Sequence, residues 1–515
     1  MAETWANGRD LHLELSGTRG GRGIRVKLEN ALRDAVRSGR LAPGVRLPSS
    51  RTLAADLGVA RNTVAEVYGQ LVAEGWLTAR TGSGTVVAER RIARPGGGPS
   101  VTVTHAAPRY DLRPGEPDVS AFPRGPWLVA ARKALAVAPA SVLGYNDPQG
   151  LPVLRAALAD YLARARGVVA DPGRVVICSG FAHGLAAVGR ALLAGGASTL
   201  AIEEYGHQLH RDIVAATGLR LRPLPIDARG AVVSAIASAD AVLLTPAHQF
   251  PLGMTLDPGR RRALAEWGAE RCGIVIEDDY DGEFRYDRQP VGAMQALAPD
   301  NVIYAGTASK SLAPGVRLGW LVVPPRLLDA VVATLGGGPS ALDQLTLAEF
   351  ITSGGYDRQI RRARLAYCRR RDRLTQALDG LGLRVTGISA GLHAVLDFDI
   401  TAWEHRAVTV SSQHGLAVDG LSRYAFGAGD RGGPGARAGL VIGYGRPPEH
   451  AYTTALARLC AALSALLSNG KVTVTRKPRG WLRVASAVPP WAAAISATMA
   501  RPSPEPGRCE GAPAR

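Results

Sequence analysis

Lys310 lies in the stretch GTASKSLAPGVRLGW, where small and hydroxyl residues surround it and Arg317 follows seven residues later. A lone lysine is most often a solvated loop residue. A lysine amine held close to hydroxyl groups and a cation can instead form a Schiff base with an aldehyde cofactor, whose phosphate those groups bind. This chemistry also needs an acid opposite the ring nitrogen of the cofactor, which keeps that nitrogen protonated.

Three further segments supply the other groups that this chemistry requires. CSGFAHGL (178–185) is a small-residue turn that opens a helix, so its backbone N–H groups are suited to a phosphate. TPAHQFPLG (245–253) is a Pro- and Gly-rich turn after a strand, and EDDYDGEF (277–284) ends a strand with acids and a tyrosine. Each segment alone is a weak signal, but their occurrence at successive strand ends favours a cofactor site.

Apolar runs alternate with Ala-, Leu- and Arg-rich helical segments through the central part of the chain. The runs are RVVICSG, STLAIEE, AVLLTP, GIVIEDDY and NVIYAGTASK. Fully apolar strands between helices predict a parallel sheet that helices cover on both faces. Ligands of such sheets bind at the carboxyl ends of the strands. The residues with chemical potential at those ends are Ser179, Glu203, His248, Asp278 and Lys310.

The N-terminal part of the chain carries the pattern of a DNA-reading fold. Residues 24–38 place apolar side chains on one helical face, residues 41–49 have turn chemistry, and RTLAADLG and residues 59–75 give two further helices. WLTARTGSGTVVA then predicts two short strands around a Gly/Ser turn, which completes a winged helix-turn-helix. Arginine suits guanine edges and hydroxyls suit phosphates, although solvated charges on a small domain give the same pattern. The residues that we expect to contact DNA are Arg46, Ser49, Arg51, Arg61, Asn62, Thr63, Arg80, Ser83 and Gly84.

The composition is that of a soluble multidomain protein. The chain has 515 residues, which predicts two or three domains, and it is 46 % hydrophobic and 20 % charged. Its net charge of +17 favours a polyanionic partner. We expect no membrane-spanning run and no secretion signal, and the five scattered cysteines without CxxC spacing predict reduced thiols and no metal site. These features together predict a cytoplasmic protein.

Residues 22–88 closely resemble the winged-helix domain of GntR-type bacterial regulators, from the first helix through the wing. The segments around Lys310, together with YNDPQGLPVLRAALADYLARARGV, resemble the fold-type I aminotransferases that use pyridoxal 5'-phosphate (PLP). The combination resembles the MocR family of bacterial regulators over approximately residues 22–465. The resemblance implies an N-terminal α+β winged helix-turn-helix domain followed by a large α/β, PLP-dependent aminotransferase-like domain of fold type I.

The resemblance also implies a role for each residue of the cofactor site. Lys310 is the internal aldimine lysine, Asp278 or its rival Asp279 faces the pyridinium nitrogen, and Tyr280 reaches the phenolic oxygen. His248 lies beside the ring. His207 takes the ring-stacking position, where the family often has tyrosine. The phosphate is expected to contact Ser179, Gly180, Phe181, Ala182, Thr307, Ser309 and Arg317.

A late arginine often holds an α-carboxylate in aminotransferase-like domains, and two arginines are candidates for that role here. PGARAGLVIGYG offers Arg437 and LSRY offers Arg423, and we rank Arg437 slightly higher. The expected domains are a winged helix at 11–88, a linker at 89–108, an aminotransferase-like domain at 109–467 and a basic, Pro/Ala-rich, largely disordered tail at 468–515.

The sequence therefore predicts a transcriptional regulator that binds operator double-stranded DNA as a head-to-tail homodimer. Its operator binding is expected to respond to PLP, or to the aldimine of PLP with an amino compound. The alternative is an active PLP-dependent aminotransferase with an appended winged helix, because nothing around Lys310 excludes transamination. The intact DNA-reading helix favours the regulator, since an enzyme does not need it.

Overall fold

The computed structural model describes residues 23–80, 84–89, 108–236, 238–286, 291–398, 401–427 and 437–468. The chain divides into two compact units, Met1–His105 and Ala106–Arg515. Ser83 and nearly all of the expected linker and C-terminal tail lie outside the described residues, and only the backbone of Arg80 is described.

In its described residues the first unit consists of three helices and one hairpin, as the winged-helix pattern predicts. Its elements are α1 (Ile24–Arg37), α2 (Ser50–Leu57), α3 (Arg61–Ala73), β1 (Leu77–Arg80) and β2 (Gly84–Val87). Helix α2 begins after Ser49 because the Ser49 hydroxyl accepts the N–H of Thr52 at 3.1 Å. It ends at Gly58, whose φ of 66° favours glycine. The three helices share one apolar core, which leaves the first residues of α3 at the surface.

The described part of the second unit is built on a seven-stranded sheet and three smaller sheets. The strands of the unit are β3 (Tyr110–Asp111), β4 (Val175–Cys178), β5 (Thr199–Glu203), β6 (Arg220–Leu224), β7 (Ile226–Asp227), β8 (Gly230–Ala231), β9 (Ala241–Leu244), β10 (Ile274–Asp278), β11 (Val302–Thr307), β12 (Gly319–Val322), β13 (His393–Phe398), β14 (Leu416–Ala417), β15 (Asp419–Gly420) and β16 (Ala438–Gly443). The order across the large sheet is β4, β12, β11, β10, β9, β5, β6.

The sheet corrects the expectation of a wholly parallel arrangement. The five predicted apolar runs all form strands of this sheet, but β12 runs antiparallel to both β11 and β4. The physical reason is the short connection between β11 and β12. A parallel neighbour needs a crossover of a dozen or more residues, whereas the chain returns directly after the Lys310 turn.

Helices cover both faces of the large sheet. The described helices of the second unit are α4 (Arg124–Val137), α5 (Pro152–Arg166), α6 (Phe181–Ala194), α7 (Gln208–Ala216), α8 (Pro258–Arg271), α9 (Pro325–Leu335), α10 (Ala341–Thr352), α11 (Gly355–Asp379), α12 (Thr401–Gln413) and α13 (Glu449–Ser468). Of these, α12 packs on the small sheet that contains β16. Apolar residues of α6, α7 and α9 pack on one face, and those of α5, α8 and α10 pack on the other. Every residue of β4, β9, β10 and β11 is consequently buried.

A second expectation, that no run is apolar enough to span a membrane, is corrected by the composition of helix α13. Among the described helices it alone is long and apolar enough to cross one, judged by length and composition. Its apolar side is packed inside the second unit, where Tyr452, Leu459 and Leu463 are each no more than 1 % exposed. The core helix of a globular protein passes the same test.

Arg370 joins segments of the second unit that are far apart in the sequence. Its side chain is 2 % exposed, and its Nη2 lies 2.8 Å from Asp118 Oδ2. Its Nε donates to Glu449 Oε2 at 2.9 Å, and its Nη1 donates to the backbone carbonyls of Gly445 and Pro447 at 3.0 and 2.8 Å. The guanidinium therefore balances a buried carboxylate and also satisfies the carbonyls that precede α13.

We expect Arg370→Ala to lower the free energy of unfolding of the second unit by about 3–5 kcal/mol, because Asp118 is left as an uncompensated buried charge. Urea titration followed by circular dichroism measures the change. Arg369→Ala is the matched control, since Arg369 is exposed on the same helix and should change the stability by less than about 0.5 kcal/mol. Equal losses in both variants would contradict the role given to Arg370.

Candidate functional site

Lys310 lies in the turn after β11, at the carboxyl edge of the sheet where β9 and β10 also end. Its Nζ donates a hydrogen bond to the backbone carbonyl of Gly115. Burial lowers the pKa of this amine below its ordinary value, and the carboxylates of Asp278, Asp281 and Glu116 oppose that shift. A desolvated lysine loses its proton more readily than a surface lysine, which suits attack on a carbonyl carbon.

Asp278 and Asp279, at the end of β10, have different environments. The two candidates for the acid that faces the ring nitrogen can therefore be distinguished. Asp279 forms a bidentate pair with Arg166, at 2.7 and 3.0 Å, and accepts the Tyr304 hydroxyl at 2.8 Å. Asp278 is 6 % exposed, and no described residue donates a hydrogen bond to its carboxyl group. Burial raises the pKa of Asp278 well above its ordinary value, although the Lys310 amine acts against the shift. The geometry favours Asp278 as the acid that would face a ring nitrogen.

Tyr280, His248 and Asp281 form a connected group next to Asp278. His248 Nδ1 lies 2.8 Å from Asp281 Oδ2 and 3.1 Å from the Tyr280 hydroxyl. A carboxylate can only accept, so Nδ1 carries the proton in its contact with Asp281. Burial raises the pKa of Tyr280 well above its ordinary value, so this hydroxyl stays protonated. Asp281 was not among the residues predicted from the sequence, although the acid-rich motif EDDYDGEF could have indicated it.

The turn between β4 and α6 has the features of an anion site. Gly180 precedes α6 with a φ of 91°, and no side chain caps this helix N-terminus. Phe181 and Ala182 begin the helix, so their N–H groups are among those that an α-helix leaves unpaired. Strand β12 comes so close that a Cβ on Gly319 would lie 2.9 Å from Gly180 Cα. Gly319 pairs with Cys178 on one side and Thr307 on the other, which brings the three predicted phosphate segments together.

The other residues predicted to bind the phosphate differ in which polar groups remain available to a ligand. Ser179 donates its N–H to His183 Nδ1 at 3.0 Å, so its hydroxyl is the group left for an anion. The Thr307 hydroxyl contacts Ser309 Oγ at 2.9 Å, which orders the turn before Lys310. Arg317 is exposed with a φ of 54°, and its guanidinium has no ion pair or hydrogen bond within the described ranges. It is therefore a cation without an internal counter-charge.

His207 lies at the N-terminus of α7 and stacks on Phe250, with 4.0 Å between ring centroids and 13° between ring planes. Burial lowers the pKa of His207 well below its ordinary value, so the ring is neutral near pH 7. These two rings and Asp278 line a cavity of about 30 Å³. Phe250 covers one face of the imidazole, so an aromatic ligand would stack on the other face. His393, which sequence analysis missed, packs 5.0 Å from Phe250.

The structure separates the two arginines considered for an effector carboxylate. Arg437 is bound by Asp397, with Nη2 2.8 Å from each carboxylate oxygen. Arg423 lines a cavity of about 1150 Å³ together with His207, and Arg437 is not part of that lining. An oxygen of Asp419 lies 3.9 Å from Arg423 Nε, which is a loose contact. The Arg423 side chain is therefore more accessible to a ligand than that of Arg437, and the choice between the two arginines stays a prediction.

Those expected DNA-contacting residues that the structure describes lie at two helix starts and at the hairpin. Arg51 lies in the first turn of α2, and Arg61 and Asn62 begin α3; all three are exposed, and Thr63 is half-buried. No side chain caps the N-terminus of α3. The N–H groups at this end of α3 are therefore suited to a phosphate.

Arg46 and Gly84 lie together at the hairpin. Arg46 forms an isolated bridge with Val86, and a Cβ on Gly84 would lie 3.7 Å from Arg46 Nε. Ser49 caps α2 but remains exposed, so its hydroxyl has a structural role as well as the expected one. Arg46 is thus attached to the hairpin strand β2, and Arg51 lies at the exposed start of α2.

The residues at the sheet edge match the chemistry of PLP. A buried carboxyl without a donor, Asp278, suits a protonated ring nitrogen. The amine of Lys310 suits the aldehyde, and the N-terminus of α6 with Arg317 suits the phosphate. Within the ranges that the structure describes, no group of three or more His, Cys, Asp or Glu residues is placed to hold a metal ion.

Comparison with known proteins gives the same division of the chain. The profile of the bacterial regulatory proteins of the gntR family matches residues 24–87, and that of the class I and II aminotransferases matches residues 115–429. The kynurenine aminotransferase of Pyrococcus horikoshii is similar in structure, with a TM-score of 0.62, 21 % identity, and coverage of 70 % of this chain and 92 % of that one. At this identity the likeness shows the fold alone.

Two bacterial regulators are similar over most of the chain. The HTH-type pyridoxine biosynthesis transcriptional regulator PdxR of Corynebacterium glutamicum is 34 % identical over 449 residues, which cover 86 % of this chain and 96 % of that protein. The probable rhizopine catabolism regulatory protein MocR of Rhizobium meliloti is 32 % identical over 485 residues, covering 88 % and 97 %. The chain therefore belongs to the MocR-type transcriptional regulators, in which a GntR-family DNA-binding domain precedes a domain of the class I and II aminotransferases.

Proposed function

We propose that the second unit binds PLP, and that the cofactor, alone or joined to an amino compound, modulates operator binding by the first unit. The observation that carries this proposal is the pairing of Lys310 with Asp278 at one edge of the sheet. The amine and the carboxyl group are both desolvated, and no described residue donates a hydrogen bond to Asp278. Burial of both groups is unfavourable unless a ligand satisfies them. PLP offers an aldehyde to the amine and a ring N–H to the acid.

Other side chains of the edge would hold and orient the cofactor. When bound, PLP supplies an electrophilic carbon and an electron-withdrawing pyridinium ring. Asp278 would keep the ring nitrogen protonated, and the Tyr280 hydroxyl, which keeps its proton, would donate to the phenolic oxygen. The N-terminus of α6 and Arg317 would bind the phosphate, while His207 would cover one face of the ring.

A ligand of the second unit alters DNA binding only if its affinity differs between the conformations that do and do not bind DNA. The relative PdxR is named for pyridoxine biosynthesis, which supports the cofactor itself as a signal. The cavity of about 1150 Å³, with Arg423 in its lining, supports an amino compound that carries an anionic group as a further signal.

We propose further that the chain acts as a head-to-tail homodimer in the cytoplasm. Several apolar side chains of the second unit are at least 59 % exposed in the single chain, namely Leu128, Val129, Val137, Leu143 and Tyr145. Clustered exposed apolar side chains are typical of protein interfaces, and helix-turn-helix regulators usually bind paired half-sites as dimers. The bacterial regulators that resemble the chain act on DNA, which supports the cytoplasm as its location.

Residual aminotransferase activity is a second candidate, and Lys310 is the observation in its favour. Its amine has a lowered pKa at the sheet edge, which suits it to take up and return a proton. The exposed Arg51, Arg61 and Asn62 have no part in such an activity. Transamination would thus be secondary to regulation.

The cofactor assignment predicts that the purified chain with added PLP shows a visible absorption band, which borohydride converts to a covalent adduct on Lys310. We expect Lys310→Ala to abolish both, because the reacting amine is removed. Lys133→Ala is the matched control, since Lys133 is exposed and forms a surface ion pair with Glu349 at 2.7 Å. An unchanged band in Lys310→Ala, or an adduct spread over surface lysines, would refute the assignment.

We expect substitutions of the two aspartates to have different effects. We expect Asp278→Asn to weaken PLP binding by about tenfold or more, equivalent to ~1.4 kcal/mol, because an amide cannot balance the pyridinium charge. Asp279→Asn should instead lower the free energy of unfolding by about 3–5 kcal/mol, since Arg166 loses its buried counter-charge. Fluorescence titration with PLP and urea titration measure the two effects. Loss of PLP binding only in Asp279→Asn would reverse the assignment.

The DNA assignment predicts that Arg61→Ala weakens specific DNA binding by about 1–3 kcal/mol while leaving the PLP band intact. Anisotropy titration of a duplex selected from a random library by the parent chain measures this loss. Lys27→Ala removes the same charge from an exposed position of α1 and is the control. Equal affinity of Arg61→Ala and the parent chain would count against α3 as the reading helix.

A further inference from the structure

Helix α11 of the second unit carries eight arginines and three aspartates, a net charge of +5 over 25 residues. A charge run on a helix is usually a solvated face on which opposite charges alternate at spacings of three or four residues. Helix α11 departs from that pattern, because Arg358 and Arg362 are four residues apart and carry the same charge. Their repulsion lowers the stability of the helix, so a solvation role alone does not account for them.

Three of these arginines form a line on the outer side of the helix. At 3.6 residues per turn, Arg358, Arg362 and Arg369 lie within about 40° of one another around the axis and span about 16 Å along it. All three are exposed, and no residue in the described ranges forms an ion pair or hydrogen bond with their guanidinium groups. Arg370 and Arg373 of the same helix are, by contrast, paired with Glu449. We call the first three residues the arginine line.

Neighbouring arginines extend this basic surface. Arg361 and Arg364 belong to the same helix and border a cavity of about 440 Å³, which Arg164 and Arg285 also line. One acid of this cavity is already paired, because both oxygens of Asp357 accept hydrogen bonds from Arg164, at 3.1 and 2.9 Å. The surface around the arginine line therefore stays positive after its internal pairs are counted.

We propose that the arginine line of α11 is a second, sequence-independent DNA contact, which binds phosphates of the duplex whose bases the first unit reads. Arginine binds phosphate through two parallel N–H groups, and its charge is permanent. The rises of about 6 Å from Arg358 to Arg362 and about 10 Å from Arg362 to Arg369 allow each guanidinium to reach a different phosphate. A duplex held by the first unit is present at high effective concentration, so a few additional ionic contacts raise the affinity markedly.

The test is the salt dependence of DNA binding by the full-length chain. Fluorescence anisotropy with a random duplex of about 40 base pairs, at about 50 to 300 mM NaCl, isolates the phosphate contacts, since they do not depend on sequence. The variant with Arg358→Gln, Arg362→Gln and Arg369→Gln removes the arginine line. We expect its slope of log association constant against log salt to fall by about 2–3, because each phosphate contact contributes ~0.9.

The matched control is the variant with Arg222→Gln, Arg262→Gln and Arg271→Gln, which removes the same charge from exposed positions of β6 and α8. Its slope should change by less than about 0.5, because these side chains are not proposed to contact phosphates. A slope unchanged in the arginine-line variant, or lowered equally in both variants, would overturn the proposal.

Two further measurements make the outcome unambiguous. Light scattering after size exclusion should give the same mass for the parent chain and both triple variants. A change of mass in the arginine-line variant with an unchanged slope would identify the line as a protein contact and would also overturn the proposal. The Arg61→Ala variant should bind the selected operator more weakly. Its slope of log association constant against log salt should still contain the contribution of the arginine line. Failure of the assigned reading helix is therefore distinguishable from failure of the arginine line.

Discussion

The buried pair of Arg166 and Asp279 determines which groups the functional edge of the sheet presents. Two hydrogen bonds, of 2.7 and 3.0 Å, hold the Asp279 carboxylate. The hydroxyl of Tyr304 and the backbone carbonyl of Gly282 satisfy the other polar atoms of the pair, which makes its burial tolerable. Because successive residues of an extended chain point in opposite directions, fixing Asp279 turns Asp278 toward the Lys310 amine. Arg166 thus neutralises the Asp279 carboxylate on one side of the strand end. On the other side, no described residue donates a hydrogen bond to the Asp278 carboxyl group.

Much of this arrangement could be predicted from local sequence, and the remainder depends on contacts between distant residues. The caps Ser49 and Gly58, the apolar runs and the Gly-rich turn before α6 are local signals, and they identified the helices, the strands and the edge that carries Lys310. The two consecutive aspartates could not be separated, since the arginine that binds one of them lies 113 residues upstream. Arg437 looked suited to a ligand for the same reason, because its partner Asp397 lies 40 residues away on β13. The orientation of β12 escaped prediction because a four-residue apolar run does not reveal its direction.

The site residues that were not predicted from the sequence make their contacts with other protein groups of the site. His183 joins the Ser179 N–H to the backbone carbonyl of Leu335, at 3.0 and 2.8 Å, and Asp281 fixes the tautomer of His248. Burial lowers the pKa of His393 to about 4, so this ring is neutral as well as closely packed. Such residues leave little trace in a single sequence because their role depends on position in the fold. The neutral His393 ring therefore adds no positive charge next to Lys310.

Gly319 and Gly180 meet through their backbones, and this contact restricts how the site can evolve. Any side chain at Gly319 would push β12 away from the turn before α6, because its Cβ would lie 2.9 Å from Gly180 Cα. The displacement would carry Arg317 with it, two residues away. A replacement of this glycine therefore requires a shift of the backbone opposite it. We expect changes that accommodate a new ligand to fall in the surrounding loops and not at the β4–β12 contact.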